Sequence, residues 1–426
     1  MTVVAASVGT WPPASPPMPG LVSVIIPTFN HGRFLAEAIQ SALNQERDEI
    51  DIVVVDDGST DDSPAVAGSF GGRVRYIWQE NTGLPGARNT GIRAARGEYL
   101  AFLDADDAWL PGFLPEVMAR WGTSSAVGAV HTGFCCVDAD GHPLPQRNLT
   151  TVADNQMYDR LLDGEFFIPS SVVARRACFE RVGLFDEALR ASEDWDMWLR
   201  VAREYRFCGI SRPLVKYRIH SGNMSADPDY MLRYQLMVVG KHFGQPDGPP
   251  DTWPLDRQRA YAAVYRYAAQ GYYLRGELER SRCYLRRTLE ANIALSDSVD
   301  LYYELGSADQ ALGWRPTGGE EALQRNAAFL ASALKHVFEA PDRPERLKHR
   351  RRRAVGHAYL ALGLLAYERQ LLDLVRRYMC KALSTTPALW MDKRVWSRLA
   401  KSLLGRRLLD ASKACFGHRR AARDER

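Results

Sequence analysis

Nothing in this chain of 426 residues has the spacing of a cysteine-based metal site: there is no C-x-x-C pair anywhere. The seven cysteines, Cys135, Cys136, Cys178, Cys208, Cys283, Cys380 and Cys415, are odd in number and scattered. That excludes a disulfide framework and fits the reduced thiols of a cytoplasmic protein. Long apolar runs are missing too. The longest near the start, Leu21 to Pro27, is far too short to span a bilayer. The first twenty residues lack a basic stretch followed by an apolar core, so no secretory signal is read there. Their proline and small residues predict a disordered leader, residues 1–20. Charge of one sign is also missing: 55 Lys and Arg against 51 Asp and Glu leave a formal +4, which calls for neither nucleic acid nor an acidic membrane. In a cytoplasmic chain the acceptor-like triplet Asn148-Leu149-Thr150 carries no meaning.

What is present reads as two domains with different patterns, as this length favours. From 21 to about 240, short β-branched runs alternate with amphipathic stretches. Val22 to Ile26, Ile52 to Val55, Val74 to Trp78 and Tyr99 to Leu103 read as buried strands; Phe34 to Leu43 and Ala87 to Ala95 read as helices. This alternation predicts an α/β fold with an open, largely parallel sheet, whose ligands bind at the carboxyl ends of the strands. A proline-rich linker, 241–256, follows. Beyond it, 257–426 reads as an all-α domain. Tyr267, Gly271, Leu285 and Leu289, then Tyr359, Leu362, Gly363, Ala366, Met379, Ala382 and Pro387, fall near a tetratricopeptide pattern. A generic helical bundle fits them equally well.

Each strand of the first half ends in polar residues. Pro27 stops the first strand and lets the chain turn at Thr28-Phe29-Asn30. Asp56 and Asp57 precede a glycine turn. A glycine-rich loop, Asn81 to Asn89, opens a helix, and the fourth strand ends Leu103-Asp104-Ala105-Asp106-Asp107. Carboxylates at i and i+2 of a chain leaving a strand suit a hard divalent cation, Mg²⁺ or Mn²⁺. Such a cation neutralises charge developing on a diphosphate leaving group. Taken alone, D-A-D is as compatible with a solvated acidic turn.

V-S-V-I-I-P-T-F-N, V-V-V-D-D-G-S-T-D, N-T-G-L-P-G-A-R-N-T-G-I and G-E-Y-L-A-F-L-D-A-D-D occur in that order, and together they resemble the family 2 glycosyltransferases, which have the GT-A fold. The resemblance covers about Val22 to Ser225. It implies an inverting transfer of a sugar from a nucleotide-diphosphate donor, a uridine nucleotide being the commonest, to a hydroxyl of a glycan or lipid-linked acceptor. It places Phe29 beside the nucleobase, Asp57 in a hydrogen bond to it, and Arg88 near the nucleotide. Asp106 becomes the principal metal ligand, with Asp104 at the ribose or assisting the metal. Ser192 to Trp198 resembles the acidic helix start beneath the acceptor, which makes Asp194 the expected base, with Glu193 and Trp195 beside it; Trp198 is expected in the core. Tyr217 to Ser225 resembles the tail whose histidine, here His220, reaches the metal or diphosphate. Gly164, in the loop Asp163 to Ser171, is expected to face donor sugar and acceptor.

Two other readings stay in view. A sugar nucleotidyltransferase is disfavoured because no glycine- and arginine-rich loop follows the first strand. A catalytically silent sugar-nucleotide binder, with the helical domain as an interaction scaffold for a protein partner, differs only in lacking turnover. Arg346 to Arg353 and the arginines after Gly417 form basic runs, expected to be solvated helix ends in preference to a peripheral membrane contact. No aromatic stacking pattern accompanies them, so nucleic acid is not an expected partner.

Overall fold

The computed structural model describes residues 11, 16–45, 50–121, 126–144, 156–307 and 319–404. The Asn148 triplet, Cys415 and the arginines after Gly417 lie outside the described residues. The chain divides into two units, Met1–Pro246 and Asp247–Arg426.

The first unit is one eight-stranded sheet with helices packed on it. Its strands are β1 (Met18–Thr28), β2 (Ile50–Asp56), β3 (Arg75–Trp78), β4 (Gly97–Phe102), β5 (Ala108–Trp109), β6 (Val127–Val137), β7 (Val172–Arg175) and β8 (Arg206–Arg218). Helices α1 (Gly32–Leu43), α2 (Ser63–Ser69) and α3 (Leu84–Ala94) connect the first four strands. Helices α4 (Phe113–Met118), α5 (Met157–Leu161), α6 (Arg176–Val182), α7 (Glu193–Glu204) and α8 (Pro228–Phe243) follow. Strand order is β3-β2-β1-β4-β7-β6-β8-β5.

The four expected strands are β1 to β4, and they pair in parallel. Alternate residues of each serve opposite faces, as the pleat requires. Val22, Val24, Ile26, Ile52 and Val54 pack with Leu35, Ala38 and Ile39 of α1. Val53, Val55 and Ile77 pack with Ala87 of α3. On α3, a Cβ at Gly91 would sit 2.3 Å from Ile25 Cγ2, so only glycine lets this helix lie so close to β1. Beyond β4 the sheet is mixed: β7 runs antiparallel to both β4 and β6, while β6 and β8 are parallel. Met18 to Gly20, expected in the leader, belong instead to β1, and Met18 N–H donates to Arg96 O at 2.9 Å.

The second unit is helical: α9 (Leu255–Leu274), α10 (Leu278–Ala291), α11 (Val299–Gly306), α12 (Glu320–Glu339), α13 (Glu345–Lys348), α14 (Arg351–Glu368), α15 (Leu372–Thr385) and α16 (Lys393–Leu404). It repeats itself at a spacing of 94 residues. Leu274 and Glu368 end helices, Leu278 and Leu372 start them, and Ala291 and Thr385 end them. The 3₁₀ turns Ile293–Asp297 and Pro387–Met391 come next, then α11 and α16 start at Val299 and Lys393. Gly276 and Gln370, also 94 apart, take the same positive φ at the hairpin turns (77° and 60°). The two copies are separated by α12 and α13, so they do not follow one another at the 34-residue period of a tetratricopeptide array.

No disulfide joins any of the six described cysteines. Among the described residues no helix is long and apolar enough to cross a membrane. The run from Arg346 to Arg353 is largely tied up within its own unit. Arg350 and Arg353 pair with Asp297, Arg351 with Glu339, Lys348 with Glu345, and Arg346 donates to Glu290 O.

Candidate active site

The carboxyl ends of β1, β2 and β4 and the start of α7 gather the chemistry-bearing side chains. Pro27 and Thr28 finish β1, after which Phe29 stands 46% exposed. Asn30 then takes a left-handed φ of 56°, uncommon outside glycine. It is held there by Ser59 Oγ accepting from its N–H (2.9 Å) and by its own Oδ1 accepting from Thr60 N–H (2.8 Å). This turn presents His31.

Asp57, at the end of β2, is buried and engaged with the glycine-rich loop. One carboxylate oxygen accepts from Gln79 Nε2 (2.6 Å), Thr82 N–H (2.9 Å) and Thr82 Oγ1 (3.2 Å), and the other from Gly83 N–H (2.8 Å). It fixes the loop that opens α3. Asp56 accepts from Tyr76 OH (2.6 Å) and Ser59 N–H (2.7 Å) and is wholly buried.

Arg88 on α3 is 1% exposed, so it lies beneath the site instead of lining it. It donates to Asp104 Oδ1 at 2.7 Å and to Glu193 Oε1. These acids share a single guanidinium. Burial pushes the Glu193 carboxyl up to about 7, Arg88 pulling it down and the Asp194 charge adding to the rise. Burial likewise raises Asp104, against Arg88 and with Asp106.

The three acids after β4 therefore diverge. Asp104 turns to Arg88. Asp107 is 2% exposed, accepts from Ser170 Oγ (2.5 Å) and Arg218 N–H (3.0 Å), and serves as a strut. Burial and its two acidic neighbours raise its pKa well above the usual carboxylate range. Asp106 alone faces His220, whose Nε2 lies 3.0 Å from Asp106 Oδ2. Burial works to raise Asp106, but the His220 hydrogen bond and the His31 charge outweigh it and hold the carboxyl low. His220 stacks on Phe34 at 5.1 Å, and His31 meets its edge at 5.9 Å.

Ligand atoms of His31, Asp106 and His220 all lie within 4.8 Å of one another. Two imidazoles and a carboxylate at that spacing fit one divalent cation, and the nitrogen donors suit Mn²⁺ better than Mg²⁺. Asp104, expected beside Asp106, is not in this set; its Oδ1 accepts from Arg88. His31 was missed; its signal was its place directly after the turn at the end of β1. Gly222 N–H donates to His220 Nδ1 at 3.1 Å, so the ring proton sits on Nε2 and points at Asp106. To ligate through Nε2, His220 must release that Gly222 contact.

Across the site, α7 opens with Glu193, Asp194 and Asp196, as acids at a helix start should. Ser192 before them has φ 55°, a second strained non-glycine residue beside the site. Asp194 is half-buried and accepts from Trp195 N–H at 2.9 Å. Trp195 is 2% exposed and its indole N–H donates to Leu161 O at 2.9 Å, so it faces the interior and offers no platform to an acceptor. Trp198 is fully buried, as expected. Gly164 takes φ 104°, a conformation that favours glycine.

Glu165, next to it, is a residue the sequence reading passed over. It is exposed as a residue. Crowding of its carboxyl by surrounding protein, then the Asp194 charge and a hydrogen bond with Asp194, push its pKa well up.

Asp196 belongs to a separate cluster. It accepts from His242 Nε2 (2.8 Å), Lys241 Nζ (2.9 Å) and Arg200 (2.9 Å), locking α7 to α8.

The glycosyl transferase family 2 model matches residues 23–183. An uncharacterized glycosyltransferase of Rickettsia prowazekii is 31% identical over 212 residues, covering 47% of this chain and 64% of the relative. One of a Nostoc species is 35% identical over 217 residues, covering 47% of this chain and 66% of the relative. The chain thus spans less than two thirds of the length of these relatives. The crystal structure of S. aureus TarS residues 1–349 aligns over 85% of this chain and 90% of its own at 18% identity, with a TM-score of 0.45. Residues 23–183 are a family 2 glycosyltransferase domain, and a helical region follows it.

Proposed function

We propose that the first unit is an inverting glycosyltransferase that moves a sugar from a nucleotide-diphosphate donor, a uridine nucleotide first among candidates, to a hydroxyl of a glycan or lipid-linked acceptor. One observation carries the reading: a cation-competent set at the end of β4 and a half-buried carboxylate at the start of α7 flank one buried arginine. A bound divalent cation, held by Asp106 with His31 and His220, would supply Lewis-acid neutralisation of the diphosphate.

The remaining work falls to the chain. Phe29 and the loop fixed by Asp57 are available to the nucleoside. Arg88 holds the donor side, Asp104, in register with the acceptor side, Glu193, so the two substrates meet in a fixed orientation. Asp194 takes the acceptor hydroxyl proton as its oxygen bonds the anomeric carbon. The opposite bond, from that carbon to the diphosphate oxygen, breaks and its electron pair leaves with the diphosphate. Attack opposite the leaving group inverts the anomeric centre.

A cytoplasmic location with at most peripheral membrane contact accords with this donor chemistry, and the helical unit is available to a protein partner. The test is donor turnover: a panel of sugar nucleotides with Mn²⁺, read as released nucleoside diphosphate, in the presence and absence of glycan acceptors. Binding of a donor with no release by any acceptor would favour the silent binder and sink the enzymatic reading.

A further inference from the structure

The two copies in the helical unit differ at one face, and the difference says what that face is for. In the first copy, Ser296 and Tyr302 are fully buried, and Tyr302 OH donates to Ser296 O at 3.1 Å. A Cβ at Gly306 would lie within 3.5 Å of Leu330 on α12 and of Leu362 and Leu365 on α14. Asp297 anchors the start of α14 through Arg350 (3.0 Å) and Arg353 (3.2 Å). The α11 face is closed by the helices that follow it.

Ninety-four residues on, the same positions carry Trp390 for Ser296, Met391 for Asp297 and Trp396 for Tyr302. All three are exposed: Trp390 by 56%, Met391 by 88% and Trp396 by 41%, with Leu403 at 68% on the same side of α16. Trp396 Nε1 donates to Trp390 O at 2.8 Å and the two rings meet edge-on at 5.3 Å. The one polar atom of the Trp396 ring is thereby satisfied within the chain, and the apolar ring surface remains outside.

The charge of the rim is also inverted. Asp300 and Glu304 of the first copy correspond to Arg394 and Arg398, and α16 itself carries Lys393, Arg394, Arg398 and Lys401 with no acid, Arg394 being paired with Asp392 just before the helix at 2.7 Å. Arg352, exposed at the start of α14, adjoins the same turn, since Thr386 Oγ1 donates to its carbonyl at 2.7 Å.

A further helix of the α14 kind is poorly suited to this face. It would find two large apolar side chains where the first copy has a serine and an anchoring aspartate, and arginines where it has acids. A second copy of the chain meeting α16 with its own α16 would set like charges together. What fits is a partner with an anionic surface over an apolar interior. We propose that the end of the second copy, Trp390, Met391, Trp396 and Leu403 with Lys393 and Lys401, docks on the interface of an anionic lipid bilayer. Amphipathic helices of this composition lie in that interface, tryptophans at headgroup depth and cations toward the lipid phosphates. The surface belongs to the helical unit alone, so it stands or falls separately from the glycosyl-transfer reading.

Flotation of the full-length chain tests it. One set of vesicles is phosphatidylcholine alone; the other contains about 30 mol % phosphatidylglycerol, both at low salt, and binding to the anionic set should be about tenfold tighter. Tryptophan emission should shift to the blue on binding. A triple Trp390→Ser, Met391→Ser, Trp396→Ser variant should lose binding, and a Lys393→Glu, Lys401→Glu variant should lose it independently, each with an unchanged thermal midpoint. Four outcomes overturn the proposal: no binding to anionic vesicles, equal binding to neutral ones, retention by both variants, or a lipid-free dimer that the same substitutions dissolve.

Discussion

Arg88 donates to Asp104 at 2.7 Å and, through its other terminal nitrogen, to Glu193, so one buried guanidinium ties the end of β4 to the start of α7. These residues are 16 and 105 positions away in sequence. The proposed donor side and acceptor side of the site are thereby coupled through the core, not through solvent.

Arg88→Ala leaves Glu193, 3% exposed, and Asp104 without their counter-charge. Breaking a buried pair from one side costs about 3–5 kcal/mol. Thermal denaturation should show a loss of that order, and Arg88→Lys, which cannot reach both acids with a planar fork, should recover only part of it. Turnover should fall in both variants even at temperatures where they stay folded. A folded Arg88→Ala protein with unaltered turnover would remove Arg88 from the proposed coupling.

Asp196 gives an acid-stability prediction. Burial alone would raise its pKa, yet the hydrogen bond from His242 and the charges of Arg200 and Lys241 outweigh it and hold the carboxyl below its ordinary range. A group depressed in the folded state stabilises the fold above its unfolded pKa, about 4, and that contribution fades as pH falls through the folded value. Asp196→Asn should therefore cost about 3 kcal/mol at neutral pH, the size of a broken buried pair. Below about pH 4 the gap between the variant and the parent should narrow steadily, closing only as the pH reaches the depressed folded value. Urea midpoints measured across that range check it: a constant gap at all pH values contradicts the assignment.

For Asp194 the expected result is a separation of chemistry from binding. Asp194→Asn should lower kcat by about 10²–10⁴, the scale of general-base catalysis, and leave donor affinity nearly unchanged. Glu165 tests the same point indirectly. Glu165→Gln keeps a hydrogen-bond donor toward Asp194 and should retain most of kcat, whereas Glu165→Ala removes it and should lose about tenfold. Steady-state kinetics on the three variants, with isothermal titration of the donor, distinguish these cases. Equal loss in Gln and Ala would mean that Glu165 acts through its charge.

The strands and their polar ends were legible because β1 to β4 are continuous β-branched runs, and a fully buried strand has few other ways to be written. Asp106 and His220 were reached through motif resemblance, and the structure does bring them within 3.0 Å. The partition among the three acids after β4 was not legible. It depends on Arg88, Ser170 and Arg218, which arrive from elsewhere in the chain, and a D-A-D-D string cannot say which carboxylate each will take. The direction of Trp195 was open for a related reason: whether an indole faces solvent or Leu161 depends on the packing of α5, an element of five residues with little pattern. The mixed order beyond β4 was also hidden, because β7 is only four residues long and its direction is set by long connections. The two copies of the helical half were legible as a loose helix-pair pattern, but their 94-residue spacing was not, because it is kept in backbone geometry while the side chains at its exposed end have changed sign and size.

The metal set supplies the last prediction. With two imidazoles and one carboxylate available, donor turnover should be higher with Mn²⁺ than with Mg²⁺, and a chelator should abolish it reversibly. His31→Ala and His220→Ala should each raise the Mn²⁺ concentration for half-maximal activity by about tenfold or more, the range seen when a metal site loses a supporting group. Asp104→Asn should leave that concentration nearly unchanged and lower stability instead, since Asp104 is held by Arg88. Titration of Mn²⁺ by electron paramagnetic resonance, with and without a uridine diphosphate sugar, reads affinity independently of turnover. If Asp104→Asn weakens Mn²⁺ as much as His220→Ala does, the carboxylate must swing from Arg88 to the metal when donor binds, and the set of three is incomplete.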